Sequence, residues 1–227
     1  MLLEIKNVFK QVTEPSGEVI TISHAEDLKL DKGGQMLLTG PSGSGKTTLL
    51  HMIAGLMSPS GGEIYFDGQR IDNMPERERD LWRARNIGYV FQKLNLIEAL
   101  TAEENILLAG YFAGGNMAEL KKRAQMLLER VGLASKKNVL PGRLSIGEQQ
   151  RVAVVRAVIN QPVLLLADEP TASLDAENSR IVLGLLRGLC SESGTALILS
   201  THDESVKQQF DEWFDIKGGR FINHGHN

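Results

Sequence analysis

A chain of 227 residues can bury one substantial core, either as one large domain or as a domain with an inserted lobe. The formal net charge of -3, with 23% charged residues, gives no electrostatic footprint for nucleic acid, and none is expected as a partner. The single cysteine, Cys190, excludes an intramolecular disulfide and a cysteine-cluster metal site, and reads as a buried helix residue.

The opening MLLEIKNVFK sets Glu4 and Lys6 among apolar residues, so it lacks a secretory h-region; it predicts an edge strand and no signal peptide. Leu3, Ile5 and Val8, then Val19 to Ile22 and Leu28 to Leu30, alternate with polar residues and predict antiparallel strands joined by a turn at Pro15-Ser16-Gly17. Met36 to Thr39 predicts a short strand, followed by a glycine-rich loop and a helix carrying Leu49, Leu50, Met52, Ile53 and Leu56. Strand-like runs at Glu63 to Phe66 and Ile87 to Phe91 flank a charged segment, Pro75 to Arg85, that suits a solvated helix. From Thr101 to Val131 the pattern is helical, with a loop at Gly114-Gly115.

The chain then alternates: strand Val163 to Ala167, helix Ala176 to Cys190, strand Thr195 to Ser200, helix Glu204 to Phe210. Such alternation predicts an α/β fold with a mainly parallel sheet, preceded by an antiparallel β subdomain. Within one domain spanning 1–227, residues 1–92 and 161–227 are expected to form the β subdomain and core, and 93–160 a mostly helical lobe. The longest apolar runs, such as Val163 to Ala167, fall far short of the roughly 18 to 20 residues that cross a bilayer as a helix.

Three segments carry chemistry. Gly40-Pro41-Ser42-Gly43-Ser44-Gly45-Lys46-Thr47-Thr48 matches G-x-x-x-x-G-K-S/T and lies between an apolar strand and a helix. Its glycines let backbone N–H groups converge on phosphate oxygens, Lys46 reaches the terminal phosphates, and the Thr47 hydroxyl suits Mg²⁺. Kinases, GTPases and transport ATPases share this loop. Val163-Leu164-Leu165-Leu166-Ala167-Asp168-Glu169 is an apolar run ending in two carboxylates, where ligands gather in a parallel sheet. Asp168 is expected to hold Mg²⁺ and Glu169 to orient or deprotonate an attacking water. Just upstream, Leu144-Ser145-Ile146-Gly147-Glu148-Gln149-Gln150-Arg151 opens a helix bearing Val152, Val155 and Ile159 on one face, with Ser145 as its cap.

In this order the motifs resemble the ABC ATPase family, whose signature is commonly LSGGQ and, in the group related to lipoprotein-release and macrolide-export ATPases, LSGGEQQ. The resemblance implies a P-loop NTPase fold with a RecA-like core and an inserted helical signature lobe. It implies ATP and Mg²⁺ as ligands, with Glu169, Lys46 and the switch residue His202 catalytic, and Thr47, Asp168 and the Q-loop residue Gln92 on the metal side. Ser145, Gly147 and Glu148 would contact the ATP of a partner subunit, with Asp175 in the D-loop. Two copies would meet head to tail and drive separate integral membrane permease subunits from the cytoplasmic face of the inner membrane. The implied task is export or extraction of a lipid, lipoprotein, peptide or drug-like cargo; the alternative is ATP-gated signalling, as in the cell-division relatives. His24, His51, His224 and His226 have no role in this scheme.

Two positions depart from the family. Ile146 replaces a signature glycine, and Val12 stands where relatives carry an adenine-stacking aromatic, with Phe9 the only aromatic nearby. Weaker discrimination of ATP over GTP is therefore expected, and Val12→Tyr should raise the ATP-to-GTP turnover ratio. Equal ratios in the two proteins would overturn this.

Overall fold

The computed structural model describes residues 1–217 and 220–223; His224 and His226 lie outside the described residues. In chain order the elements are β1 (Leu3–Thr13), β2 (Val19–Leu30), β3 (Gln35–Thr39), α1 (Lys46–Ile53), β4 (Gly61–Phe66), β5 (Gln69–Arg70) and α2 (Glu76–Asn86). There follow β6 (Ile87–Val90), α3 (Ala102–Phe112), α4 (Met117–Arg130), α5 (Ile146–Val158), β7 (Leu164–Asp168), α6 (Ala176–Ser193), β8 (Ala196–Thr201), β9 (Glu212–Lys217) and β10 (Arg220–Asn223). Contacts divide the chain into two compact units, one of residues 1–83 with 196 onward, the other of residues 84–195.

In the first unit the strands run β5-β4-β1-β2-β10-β9-β3-β8. The N-terminal strands are antiparallel, with Leu3 opposite Leu30 of β2 and Phe66 of β4. β1 is thus paired on both sides, a correction to the expected edge strand: Leu3, Ile5 and Val8 are all fully buried, and Glu4 and Lys6 reach solvent between them. β3 lies parallel to β8 and to β9, and all six residues of β8 are buried. Two further differences come at the end of the chain. Glu204 to Phe210 is not an α-helix but a 3-10 turn, Glu204–Gln209, closed by bonds from Val206 N–H to Asp203 O and from Phe210 N–H to Lys207 O. After it, β9 and β10 form an antiparallel hairpin that was not expected, β10 also touching β2. Leu56, expected on the first helix, is exposed beyond a turn at Gly55.

The β subdomain has one close backbone approach. Gly62 has φ +88°, and a Cβ there would lie 2.2 Å from the Asn7 carbonyl oxygen of β1, where the register shifts between Lys6 and Phe9. No side chain can rotate away to make room. Gly62→Ala should therefore cost about 1–3 kcal/mol of stability, which thermal unfolding would read as a drop of about 2–4 °C per kcal/mol. An unchanged midpoint would refute the steric reading.

In the second unit β6 and β7 pair in parallel, Val90 opposite Ala167. Leu164 to Ala167 are fully buried, and burial of each Leu contributes about 1.5–3 kcal/mol. The expected helical stretch is two helices, α3 and α4, separated at Gly114-Gly115. α5 packs against α3, α4 and α6, and its Val152 and Val155, with Ile159 at its C-cap, are all fully buried. Cys190, on α6, is buried, and burial pushes its thiol up to about 12. Among the described residues no helix is long and apolar enough to cross a membrane.

Candidate active site

In the first unit the glycine-rich loop joins the carboxyl end of β3 to α1. Gly40, Gly43 and Gly45 all have positive φ, and a Cβ on Gly45 would lie 2.3 Å from the Ile22 carbonyl oxygen. The loop is therefore seated on the backbone of β2, and Gly45 is required by contact as well as conformation. α1 differs from α3, α4, α5 and α6 in two respects: no side chain among the described residues caps its N-terminus, and its first turn contains no acidic residue. Its leading amides and positive dipole end are left for an external anion.

Two side chains complete this cradle. Lys46 is 5% exposed, and its Nζ donates to the carbonyls of Gly40 (2.7 Å) and Pro41 (3.1 Å), which fixes the ammonium across the loop. Among the described residues the buried Ser44 hydroxyl has no hydrogen-bond partner, an unmet polar group within the loop itself. Thr47 and Thr48 open the helix, Thr47 exposed. β3 and β8 are in register, Thr39 opposite Thr201, so His202 leaves the same carboxyl edge as Gly40. Val12 sits on β1 at 38% exposure, beyond a bulge between Lys10 and Gln11. The Phe9 ring lies over Gly61 and edge-on to His24, committed to packing within the β subdomain.

The second unit gathers other expected residues. Gln92 and Glu169 line one cleft of about 330 Å³ together with Ile146, Gln150, Ala172 and Ser173. Asp168 ends β7 at 2% exposure and Glu169 follows at 8%. Glu169 also has φ +46°, a left-handed backbone rarely adopted by a glutamate, of the kind that concentrates at functional sites. Nearby, Tyr89 stacks on Phe91; burial, then the Asp168 carboxylate, pushes its phenol upward.

Ser145 caps α5, accepting from the Glu148 N–H (3.2 Å) while the Glu148 carboxylate accepts from the Ser145 N–H (2.8 Å). That amide, and the Lys136 ammonium 3.7 Å away, hold the Glu148 carboxyl below the usual range. Gly147 is buried one residue earlier, and Ile146 is 48% exposed. Asp175 caps α6.

Sequence reasoning missed several of these groups. The reciprocal cap of Glu148 was legible as Ser followed by Glu three residues on. The unmet Ser44 hydroxyl was not, nor was Arg156, whose guanidinium donates to the carbonyls of Leu94 and Asn95 at 2.6 Å each and ties α5 to the segment after Gln92.

The loop, uncapped helix, buried hydroxyl and lysine suit an anion with several oxygens, such as a polyphosphate. Thr47 in the first unit, and Asp168 and Gln92 in the second, each offer a hard oxygen donor of the kind Mg²⁺ takes, and no group of three or more His, Cys, Asp or Glu among the described residues could hold a metal by itself.

The family model described as ABC transporter matches residues 24–172. The chain belongs to the ABC transporter family. It is a nucleotide-binding subunit of that family and an ATPase. This ABC chain is 40% identical over 225 residues to the lipoprotein-releasing system ATP-binding protein LolD 1 of Chlorobium luteolum, covering 97% of this chain and 96% of that protein. It is 37% identical over 221 residues to an uncharacterized ABC transporter ATP-binding protein, MJ1508, of Methanocaldococcus jannaschii, with 97% and 98% covered. Among solved structures, the ATP-binding cassette MJ0796, described as dimeric in a post-hydrolysis state with ADP and Pi, aligns with TM-score 0.91 and 35% identity over 99% of this chain and 98% of that one. The fold is accordingly that of an ABC cassette, with its P-loop core, mainly parallel sheet, antiparallel β subdomain and helical insertion.

Proposed function

We propose that two copies of this ABC subunit close head to tail on ATP, each glycine-rich loop facing the partner's signature segment, and that hydrolysis drives separate membrane subunits that extract a lipidated cargo. The observation that supports this most directly is near-full-length similarity to LolD 1, a protein named for lipoprotein release. The dimeric state of MJ0796 supports the pairing. The resulting location is the cytoplasmic face of the inner membrane, held by the permease.

Each residue then has a task. The amides of residues 40–48 and the Lys46 ammonium bind the phosphates, replacing the two carbonyl contacts that Lys46 makes within its own loop. Thr47, Gln92 and Asp168 would hold Mg²⁺, which supplies charge neutralisation on the phosphate oxygens. Glu169 orients the attacking water and accepts its proton, while His202 and the partner's signature segment, from Ser145 through Gly147 to Glu148, stabilise developing charge. Asp175 stands at the start of α6, where the D-loop would cross to the partner. Residues 93–160, the helical lobe, follow Gln92 and would pass its movement to the permease.

The test is affinity purification of the full chain from its own membranes, followed by reconstitution of whatever permease accompanies it into liposomes holding a lipid-anchored protein. ATP-dependent release of the anchored protein is expected. Failure to release it, with ATP-dependent activation of a cell-wall enzyme instead, would replace this reading with the signalling one.

A further inference from the structure

The signature segment and the D-loop are separate in sequence, yet one side chain of the second unit touches both. Asn178 lies in the first turn of α6. Its backbone N–H donates to Asp175 Oδ1 and its Nδ2 donates to Asp175 Oδ2, both at 2.8 Å. This two-point grip on an exposed carboxylate fixes the orientation of the amide. Asp175 responds to it: the Asn178 backbone bond first, then the side-chain bond, holds its carboxyl below the usual range.

With Nδ2 committed to Asp175, Oδ1 faces α5. A Cβ added at Gly147 would lie 2.7 Å from Asn178 Oδ1 and 3.0 Å from its Cγ. The second position of α5 therefore has no room for any side chain while Asn178 holds Asp175. The oxygen also presents a partial negative charge to the positive N-terminal end of α5. Gly147 itself does not have positive φ, so the demand for glycine here comes from contact and not from backbone conformation. Alanine is in fact the better helix former.

We propose that Asn178 is a positioning residue which locks the signature segment to the D-loop aspartate, so that Gly147 is required within its own chain as well as by the phosphate it faces. This rests on the head-to-tail reading above, in which both segments address the partner's nucleotide. Their mutual spacing then becomes part of the composite site, and a side chain at position 147 disturbs Asp175 by displacing the amide between them.

The experiment is a double-mutant cycle on the purified full chain: wild type, Gly147→Ala, Asn178→Ala and the double variant. Gly147→Ala should lower kcat about 10-fold with KM for ATP within about twofold, because the chain's own loop still binds ATP. Asn178→Ala should cost about 3-fold, and the double variant should sit no more than about 5-fold below wild type, since removing the amide vacates the space. A double variant at the product of the two losses, about 30-fold down, would overturn the proposal.

A second arm needs no nucleotide: hydrogen exchange at the first turn of α6 should be faster in Gly147→Ala than in wild type. Unchanged exchange would overturn the link. If the wild-type chain hydrolysed no ATP, the composite-site reading would fail, and the exchange arm alone would still decide the link between the two segments.

Discussion

Glu169→Gln should lower ATP turnover by about 10²- to 10⁴-fold, the range lost when a general base is removed, while leaving ATP binding intact. The argument is geometric first. Glu169 lies at the carboxyl end of a fully buried strand, is 8% exposed, and shares its cleft with Gln92. Its left-handed backbone costs about 1–3 kcal/mol for a residue other than glycine, a cost sustained only where the surrounding structure overdetermines the conformation. Glutamine has the same shape and can adopt the same backbone, so unfolding should shift little; what is lost is the capacity to take a proton. Phosphate release in steady state, alongside equilibrium binding of ATP, checks both halves. A rate equal to wild type would remove Glu169 from its assigned role.

Lys46→Ala should act on binding, weakening ATP by about 100-fold, or about 2.8 kcal/mol. Lys46 is 5% exposed, so its attraction for phosphate is screened less than that of a surface lysine. It bonds the Gly40 and Pro41 carbonyls, and alanine would remove both bonds, leaving Pro41 O with the Ser44 N–H. The variant should thus show a lower melting temperature without ligand and a smaller rise on adding ATP. A wild-type response to ATP would show that phosphate recognition resides in the loop amides alone.

The parts of the fold legible beforehand were those in which a segment's own pattern decides its state. The buried run before Asp168, the charged face of α2 and the break at Gly114-Gly115 all belong to this class. Neighbour relations were less legible. Nothing within Leu3 to Val8 says whether one or two strands will pair with it; that depends on β4, some sixty residues away. The alternation of Phe214 and Ile216 about Asp215 was present, yet the strand's pairing with β10 becomes visible only once β3 is laid beside β9. Glu204 to Phe210 contains apolar residues at a helical offset, but Asp203 caps the second residue and Lys207 is drawn to Asp215 of β9, which favours the tighter turn.

The site divides in the same way. Motif spacing named the loop, the paired carboxylates and the signature segment, because each is contiguous. Asn178 escaped notice because its importance lies in what it touches: an aspartate three residues before it and a glycine on another helix. The Ser44 hydroxyl was inside a recognised motif, but its burial, without a partner among the described residues, depends on the fold around the loop.

Cys190 has a practical consequence. It is the chain's one thiol, buried on α6 and held protonated far above neutral pH, so reagents that attack thiolates should pass over the native protein. A single cysteine introduced at an exposed position, the Ser16 turn for instance, would carry a spin label or fluorophore without prior removal of the natural one. Two such labels, one per copy, would turn closure of the pair into a measured distance, and slow reaction at Cys190 would report separately on opening of α6.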